Sequence, residues 1–235
     1  MGDAVGQMLA SAVGVALSPL PVIAVVLMLS TPRGRANGTA FTLAWLLSVG
    51  LLSTAVVLLG AGADARGEDA PADWVSWVKF GAGVLFVLLG LRQWRGRPRT
   101  GGDATDGDAG AGEAPLPGWM AAIDTFTPGR SAALAVALSV LNPKNLVLVV
   151  GGALSIAGSS GSAAGRTLAV ALFVLIASVC TLLPLGVYLL GGARAAGVLE
   201  SWRAWMAAHN SAIMTVVLVL LGAKFLGDAL SALTA

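Results

Sequence analysis

Apolar residues dominate six stretches of the chain, at about residues 5–29, 36–60, 75–92, 131–156, 166–191 and 211–231. Short segments that collect arginine, glycine and proline separate them. Each stretch is long enough to cross a hydrocarbon core of about 30 Å as a helix. The pattern predicts an all-α integral membrane protein with six transmembrane helices. The first stretch carries Asp3 rather than a basic leader, and Pro19 and Pro21 interrupt it, so it reads as a helix and not as a cleaved signal peptide.

Residues 98–118, PRTGGDATDGDAGAGEAPLPG, have no apolar periodicity and read as a solvated cytoplasmic linker. Asp103, Asp106, Asp108 and Glu113 do not fall on the first, third and fifth positions of a calcium loop, and no metal or cofactor is expected. The linker divides the chain into a first three-helix unit, 1–97, and an interfacial segment with a second three-helix unit, 119–235. The halves echo each other in order. LSP at 17–19 answers LNP at 141–143, DWVSW at 73–77 answers SWRAW at 201–205, and VLLGLR at 87–92 answers VLLGAK at 219–224. Because each unit has an odd number of spans, the second copy enters the membrane upside down, which predicts two inverted repeats. Pro19 and Pro143 then fall near the middle of equivalent helices, which are expected to bend or unwind there.

Composition agrees with the membrane reading. Hydrophobic residues make up 57% of the chain and charged residues 11%, with mean hydropathy +0.85, too much apolar surface for a soluble domain to hide. Arg33, Arg35, Arg92, Arg95, Arg97, Arg99, Arg130, Arg194 and Arg203 fall on one side of the predicted topology; Arg66, Lys79, Arg166 and Lys224 fall on the other. Positive charge favours the cytoplasmic face, so a multi-pass plasma-membrane protein with both termini extracytoplasmic is expected, and no nucleic-acid partner. The single cysteine, Cys180, forms no internal disulfide and reads as packing.

Lys144 is the remaining cation, inside the run LSVLNPKNLVLVV at 138–150 and directly after Pro143. A charge at bilayer depth costs roughly 2.5–3.5 kcal/mol on insertion scales, and a broken helix frees backbone groups that lipid cannot satisfy. A cavity can satisfy both; a lysine that snorkels to the headgroups is the alternative. No carboxylate stands out within the spans, Asp228 lying near the outer end of the last, so the charge inventory suits an anion rather than a metal or a cationic amino acid. Phosphate, sulfate or carboxylate would rest against Lys144 and the first amides of the half-helix that starts near Asn145, with Asn142 and Asn145 as further donors. With Pro143 and the matching Ser18, Pro19 and Pro21, these form the expected substrate-binding set. The chain lacks the paired carboxylates, nucleophile–base pair or metal ligands of a membrane enzyme; its one histidine is His209. A non-enzymatic protein is expected.

Two segments flank the spans. In 193–210, Val198, Leu199, Trp202 and Met206 share a helical face, which predicts a helix lying in the headgroup layer, as do Trp74 and Trp77 on the other side. In 116–130, Trp119, Ile123 and Phe126 are expected against the membrane, and Asp124 with Arg130 is either a gate or a solvated edge. Small-residue pairs, Gly14 with Ser18 and Ala135 with Ser139, pack within or between subunits, so a homo-oligomer stays open.

PLPVIAVVLML and STPRGRANGTAFTLAW (19–45), GLRQWRGRP (90–98), WMAAIDTFTP (119–128) and LNPKNLVL (141–148) resemble the actinobacterial GAP family of glycopeptidolipid- and sulfolipid-addressing membrane proteins, which is similar to the LysE exporter superfamily. The resemblance covers nearly the whole chain apart from the linker. It implies six helices in two inverted triplets, a role in moving complex lipids toward the cell envelope, and motif positions at Pro19, Asp124, Asn142, Pro143, Lys144 and Asn145. The first motif is Pro-Leu-Pro where amino-acid exporters have Pro-Gly-Pro. The expected function is export or flipping of an anionic lipid or glycolipid by alternating access, with membrane lipids, the lipid substrate and envelope-lipid export machinery as partners. An exporter of amino acids or other small metabolites and a non-transporting scaffold of a lipid-export complex are the alternatives.

Overall fold

A computed structural model of the chain describes residues 2–64, 73–95, 123–159 and 162–233; the linker at 98–118, Arg66 and Trp119 lie outside them. Every regular element among the described residues is helical. They are α1 (Gly2–Ala16), α2 (Pro19–Leu29), α3 (Gly34–Asp64), α4 (Asp73–Arg95), α5 (Pro128–Val136), α6 (Pro143–Ala157), α7 (Ala163–Ala177), α8 (Val179–Leu190) and α9 (Ala195–Leu233). A π-helical turn, Ala137–Leu141, extends α5 to the break before α6.

Two helical stretches, Gly34–Gly60 and Ala212–Ser231, are long and apolar enough to cross a membrane alone. Three bent pairs pass the same test together: α1 with α2 at 43°, α5 with α6 at 67°, and α7 with α8 at 62°, which brings the count of candidate spans to as many as five. The expected span at 75–92 is represented by α4, in which the apolar stretch is the shorter Gly83–Arg92.

Both expected proline breaks are present, and they have the same backbone. Ser18 (φ −78°, ψ 113°) and Asn142 (φ −74°, ψ 114°) are each extended residues at the position before the half-helix opened by the following proline. A residue before proline is pushed out of the helical region, and proline is tolerated in a first turn because its missing N–H would have had no partner there. LSP and LNP are therefore the same device used twice. Pro21 also lies in the first turn of α2 and starts that helix without interrupting it.

Nine of the eleven residues of α2 are buried, so this all-apolar helix is a central post, packed against α3, α8 and α9. In α3 the residues Phe41, Trp45, Val49 and Ser53 recur every four positions and are buried. Leu43, Leu47, Leu51 and Leu58 line the opposite face and are more than half exposed, the surface expected of a helix that faces lipid. α5 packs on α3 through Ser131, Ala135 and Ser139, all buried, so this small-residue stripe packs inside the chain. Gly14 does likewise, since a Cβ there would meet the side chains of Leu148 and Leu221.

The two flanking segments differ from expectation. Residues 195–233 form one continuous helix, about 58 Å long at 1.5 Å per residue, because no proline or strong breaker separates the expected interfacial helix from the last span. Leu199 is buried, and Trp202 and Met206 pack against the core, so the face expected to meet headgroups mostly meets protein; Val198 alone of the four is exposed. Ile123 is likewise buried, and Phe126 packs against the core while its carbonyl accepts a 3.0 Å hydrogen bond from Asn37 Nδ2.

Candidate functional site

The breaks at Ser18 and Asn142 meet. Lys144, one position into α6 beyond Pro143, is only 6% exposed, and its Nζ donates to Ser18 Oγ at 2.8 Å. Ser18 Oγ in turn donates to Asn145 Oδ1 at 2.9 Å, and Asn145 Nδ2 donates to the carbonyl of Leu138 at 2.8 Å. That carbonyl lies in the π turn where the α5 ladder stops, so the Asn145 amide satisfies a backbone group freed by the break. Asn142 Oδ1 accepts from the Lys144 amide at 3.1 Å and so caps α6. The two residues before proline act differently: the Asn142 side chain caps its own helix, whereas the Ser18 side chain makes no cap and reaches across to Lys144.

An ammonium has three N–H donors, and Ser18 takes one. Among the described residues no carboxylate lies within ion-pair distance of Lys144; the exposed pair Arg203–Glu200, at 2.6 Å, is elsewhere. A buried cation with a neutral hydroxyl as partner keeps donors and an uncompensated charge for an incoming anion.

A third break was not foreseen. α7 ends at Ala177 and α8 starts at Val179, bent by 62° at Ser178. α1 packs against α6 and α7, and α2 against α8, and Cys180 lies within electrostatic range of the Lys144 ammonium. The N-termini of α2 and α6, the positive ends of two helix dipoles, thus meet at one lysine, and α8 packs against α2. At the bend, Ser178 Oγ is fully buried without a hydrogen-bond partner. Sequence reasoning missed Ser178 because the only breaker in that span is Pro184, six residues further on and inside α8. It also missed the hydroxyls of Ser48 and Ser139, 2.7 Å apart, which tie α3 to the π turn beside the second break.

Of the expected binding residues, Ser18, Lys144 and Asn145 form one hydrogen-bonded cluster, Asn142, Pro143 and Pro19 build the breaks that present it, and Pro21 packs in α2. The side chain of Asp124 is outside the description; the Arg130 side chain is exposed, and its amide is capped by Thr127 Oγ1 at 3.4 Å. A cavity of about 710 Å³ lies between the C-terminal end of α2 and the start of α9, and Lys144 does not border it. In this conformation the ammonium is enclosed.

Ser18→Ala is expected to destabilise the protein by about 1–3 kcal/mol, because it strands the Lys144 ammonium and Asn145 Oδ1 together. Thermal unfolding in detergent checks this; an unchanged midpoint would mean that the cluster contributes nothing to the fold.

Compared with known proteins, residues 8–231 match the family model described as Sap, sulfolipid-1-addressing protein. No curated protein and no solved structure matches the chain. The match spans nearly the whole chain, and the chain belongs to the sulfolipid-1-addressing family.

Proposed function

We infer that this family member is a plasma-membrane transporter that moves an anionic lipid or glycolipid toward the cell envelope. Its head group is taken at Lys144, and two inverted three-helix halves alternate access around that residue. The observation that carries the reading is the enclosed Lys144 ammonium, with Ser18 as its partner and no described carboxylate beside it. The family's description supplies the lipid class: a sulfated head group is an anion that the ammonium, the Ser178 hydroxyl and the amides of α6 and α8 suit. The matched backbone of the LSP and LNP breaks supports the inverted repeat, since equivalent hinges in both halves are what two mirrored open states require.

The enclosed state fits an alternating-access cycle. Swinging α2 away from α6 separates Ser18 from Lys144, and the head group replaces the hydroxyl as the partner of the ammonium. The acyl chains stay in lipid beside the exposed leucines of α3 while the head group crosses. Arginine-rich ends of the helices face the cytoplasm on this reading, and both termini face outward.

Lipids that co-purify with the protein test the assignment. Mass spectrometry is expected to find an anionic lipid enriched over its share of the membrane in the parent protein, and about tenfold less of it in Lys144→Gln, the loss of one charge-assisted contact. Ser178→Ala is expected to lower the enrichment without lowering thermal stability, because the hydroxyl it removes has no partner to lose. Bound lipid that mirrors the bulk membrane in all three proteins would refute the reading.

A further inference from the structure

The cavity of about 710 Å³ that Lys144 does not border carries an inference of its own, which rests on the lipid-transport reading above. Its walls come from Leu29 and Ser30 at the end of α2, Arg35 at the start of α3, Tyr188 and Leu189 at the end of α8, and Leu199 in α9. Gly192, at φ +55°, closes it by turning the chain from α8 into α9, a backbone conformation that glycine holds without strain. Three leucines make an apolar wall. Arg35 is the sole charged residue of the lining, and Tyr188 adds a phenol. Among the described residues Arg35 has no ion-pair partner, while Arg33 and Arg194, one helix start and one short turn away, are exposed at the same end of the protein.

The position of this cavity relates it to Lys144. α2 begins at Ser18, the partner of the Lys144 ammonium, and ends at Leu29 in the cavity wall, a run of about 16 Å. α8 packs against α2 and ends at Tyr188 and Leu189 in the same wall. Half the thickness of a hydrocarbon core separates the two places. A cavity of this volume, largely apolar with one cation at its edge, is of the size and composition that hold an amphiphile rather than a free ion. A soluble anion would use Arg35 and Tyr188 and gain nothing from the leucines; a lipid uses both, with its phosphate or sulfate on the guanidinium and the first methylenes of its chains on Leu29, Leu189 and Leu199.

We propose that this cavity is a loading site for anionic lipid on the arginine-rich side of the membrane, in which Arg35 and Tyr188 hold the head group before it is passed along α2 and α8 to Lys144. Any movement of those two helices that opens the lysine also reshapes the cavity between their far ends. The two sites are thereby loaded in sequence.

The full-length protein in nanodiscs containing equal amounts of phosphatidylglycerol and phosphatidylcholine provides the test, with retained lipid measured by native mass spectrometry. The parent is expected to retain phosphatidylglycerol preferentially. Arg35→Gln is expected to lower the phosphatidylglycerol-to-phosphatidylcholine ratio about fivefold, and Arg35→Lys to restore part of it, since a lysine keeps the charge and loses the planar fork. Arg92→Gln, an exposed arginine at the same end but outside the cavity, is expected to leave the ratio unchanged, and millimolar inorganic phosphate is expected not to displace the lipid. An unchanged ratio in Arg35→Gln, an equal fall in Arg92→Gln, or displacement by phosphate would each overturn the loading site. The two readings fail separately. A normal Arg35→Gln ratio beside lost transfer in Lys144→Gln removes the loading site alone. A lowered Arg35→Gln ratio beside normal transfer in Lys144→Gln keeps the lipid site and removes Lys144 from the path.

Discussion

Lys144→Met is expected to abolish lipid transfer while leaving the protein as heat-stable as the parent, or more so. Lys144 as a whole is 6% exposed, and its ammonium has a neutral hydroxyl for a partner. Removing an ion from water costs several kcal/mol even after relaxation, and no described carboxylate offsets that cost here. Methionine has similar length and no charge, so it fills the space and removes the penalty. Ser18 Oγ keeps its bond to Asn145 Oδ1, and no buried donor is stranded. A residue kept for structure gives the opposite pair of results, a lower unfolding midpoint with transfer intact at whatever fraction stays folded. The comparison with Ser18→Ala sharpens the point: removing the neutral partner is expected to destabilise, and removing the charge is not.

The second large effect is expected at the crossing of α4 and α9, the most extensive helix contact among the described residues. A Cβ on Gly222 would lie 3.0 Å from the Gly83 carbonyl oxygen, 3.0 Å from the Val87 amide and 2.6 Å from Val87 Cγ2. On the facing helix, a Cβ on Gly83 would lie 2.9 Å from the Leu226 amide and 3.1 Å from the Gly222 carbonyl oxygen. Backbone sits against backbone, so no side chain can rotate out of the way, and close approach of this kind holds helices together where lipid is as apolar as the protein surface. Gly222→Val is expected to cost about 1–3 kcal/mol or more by overpacking, read as a lowered thermal midpoint and a loss of monodisperse protein. Gly227→Ala, in the same helix with open space around it, is expected to be neutral or stabilising by about 0.5–1 kcal/mol. Equal behaviour of the two variants would contradict a close-packed crossing.

The two expected breaks were legible because proline acts locally: Ser18 and Asn142 have to be extended and Pro19 and Pro143 have to open new helices, whatever surrounds them. Lys144 was legible as an anomaly for the same reason, one cation in a run that otherwise repels charge. Its partner was not legible. The LSP–LNP correspondence marks Ser18 as an equivalent of Asn142, but only the packing of α1 on α6 brings that hydroxyl 2.8 Å from an ammonium 126 residues away. The bend at Ser178 is of this kind too: no breaker stands at that residue, and the two helices it joins pack against α1 and α2. The face of Leu199, Trp202 and Met206 is legible as amphipathic, and in the fold it packs against the core: periodicity says that a face is covered, and only the fold says by what. The cavity beside Arg35 joins two stretches distant in sequence, 29–35 and 188–199, and leaves no local signal at all.

The account rests on an anionic head group crossing at Lys144, and transbilayer movement in proteoliposomes measures this most directly. Vesicles carrying a fluorescent sulfated glycolipid, a zwitterionic analogue with the same chains, and an encapsulated amino acid would be compared for the parent and for Lys144→Met matched in amount and fold. The account expects the sulfated lipid to cross well above the protein-free rate in the parent, the analogue and the amino acid to stay near that rate, and Lys144→Met to match empty vesicles. Movement of both lipids at equal rates in both proteins, or amino-acid efflux without lipid movement, would contradict it.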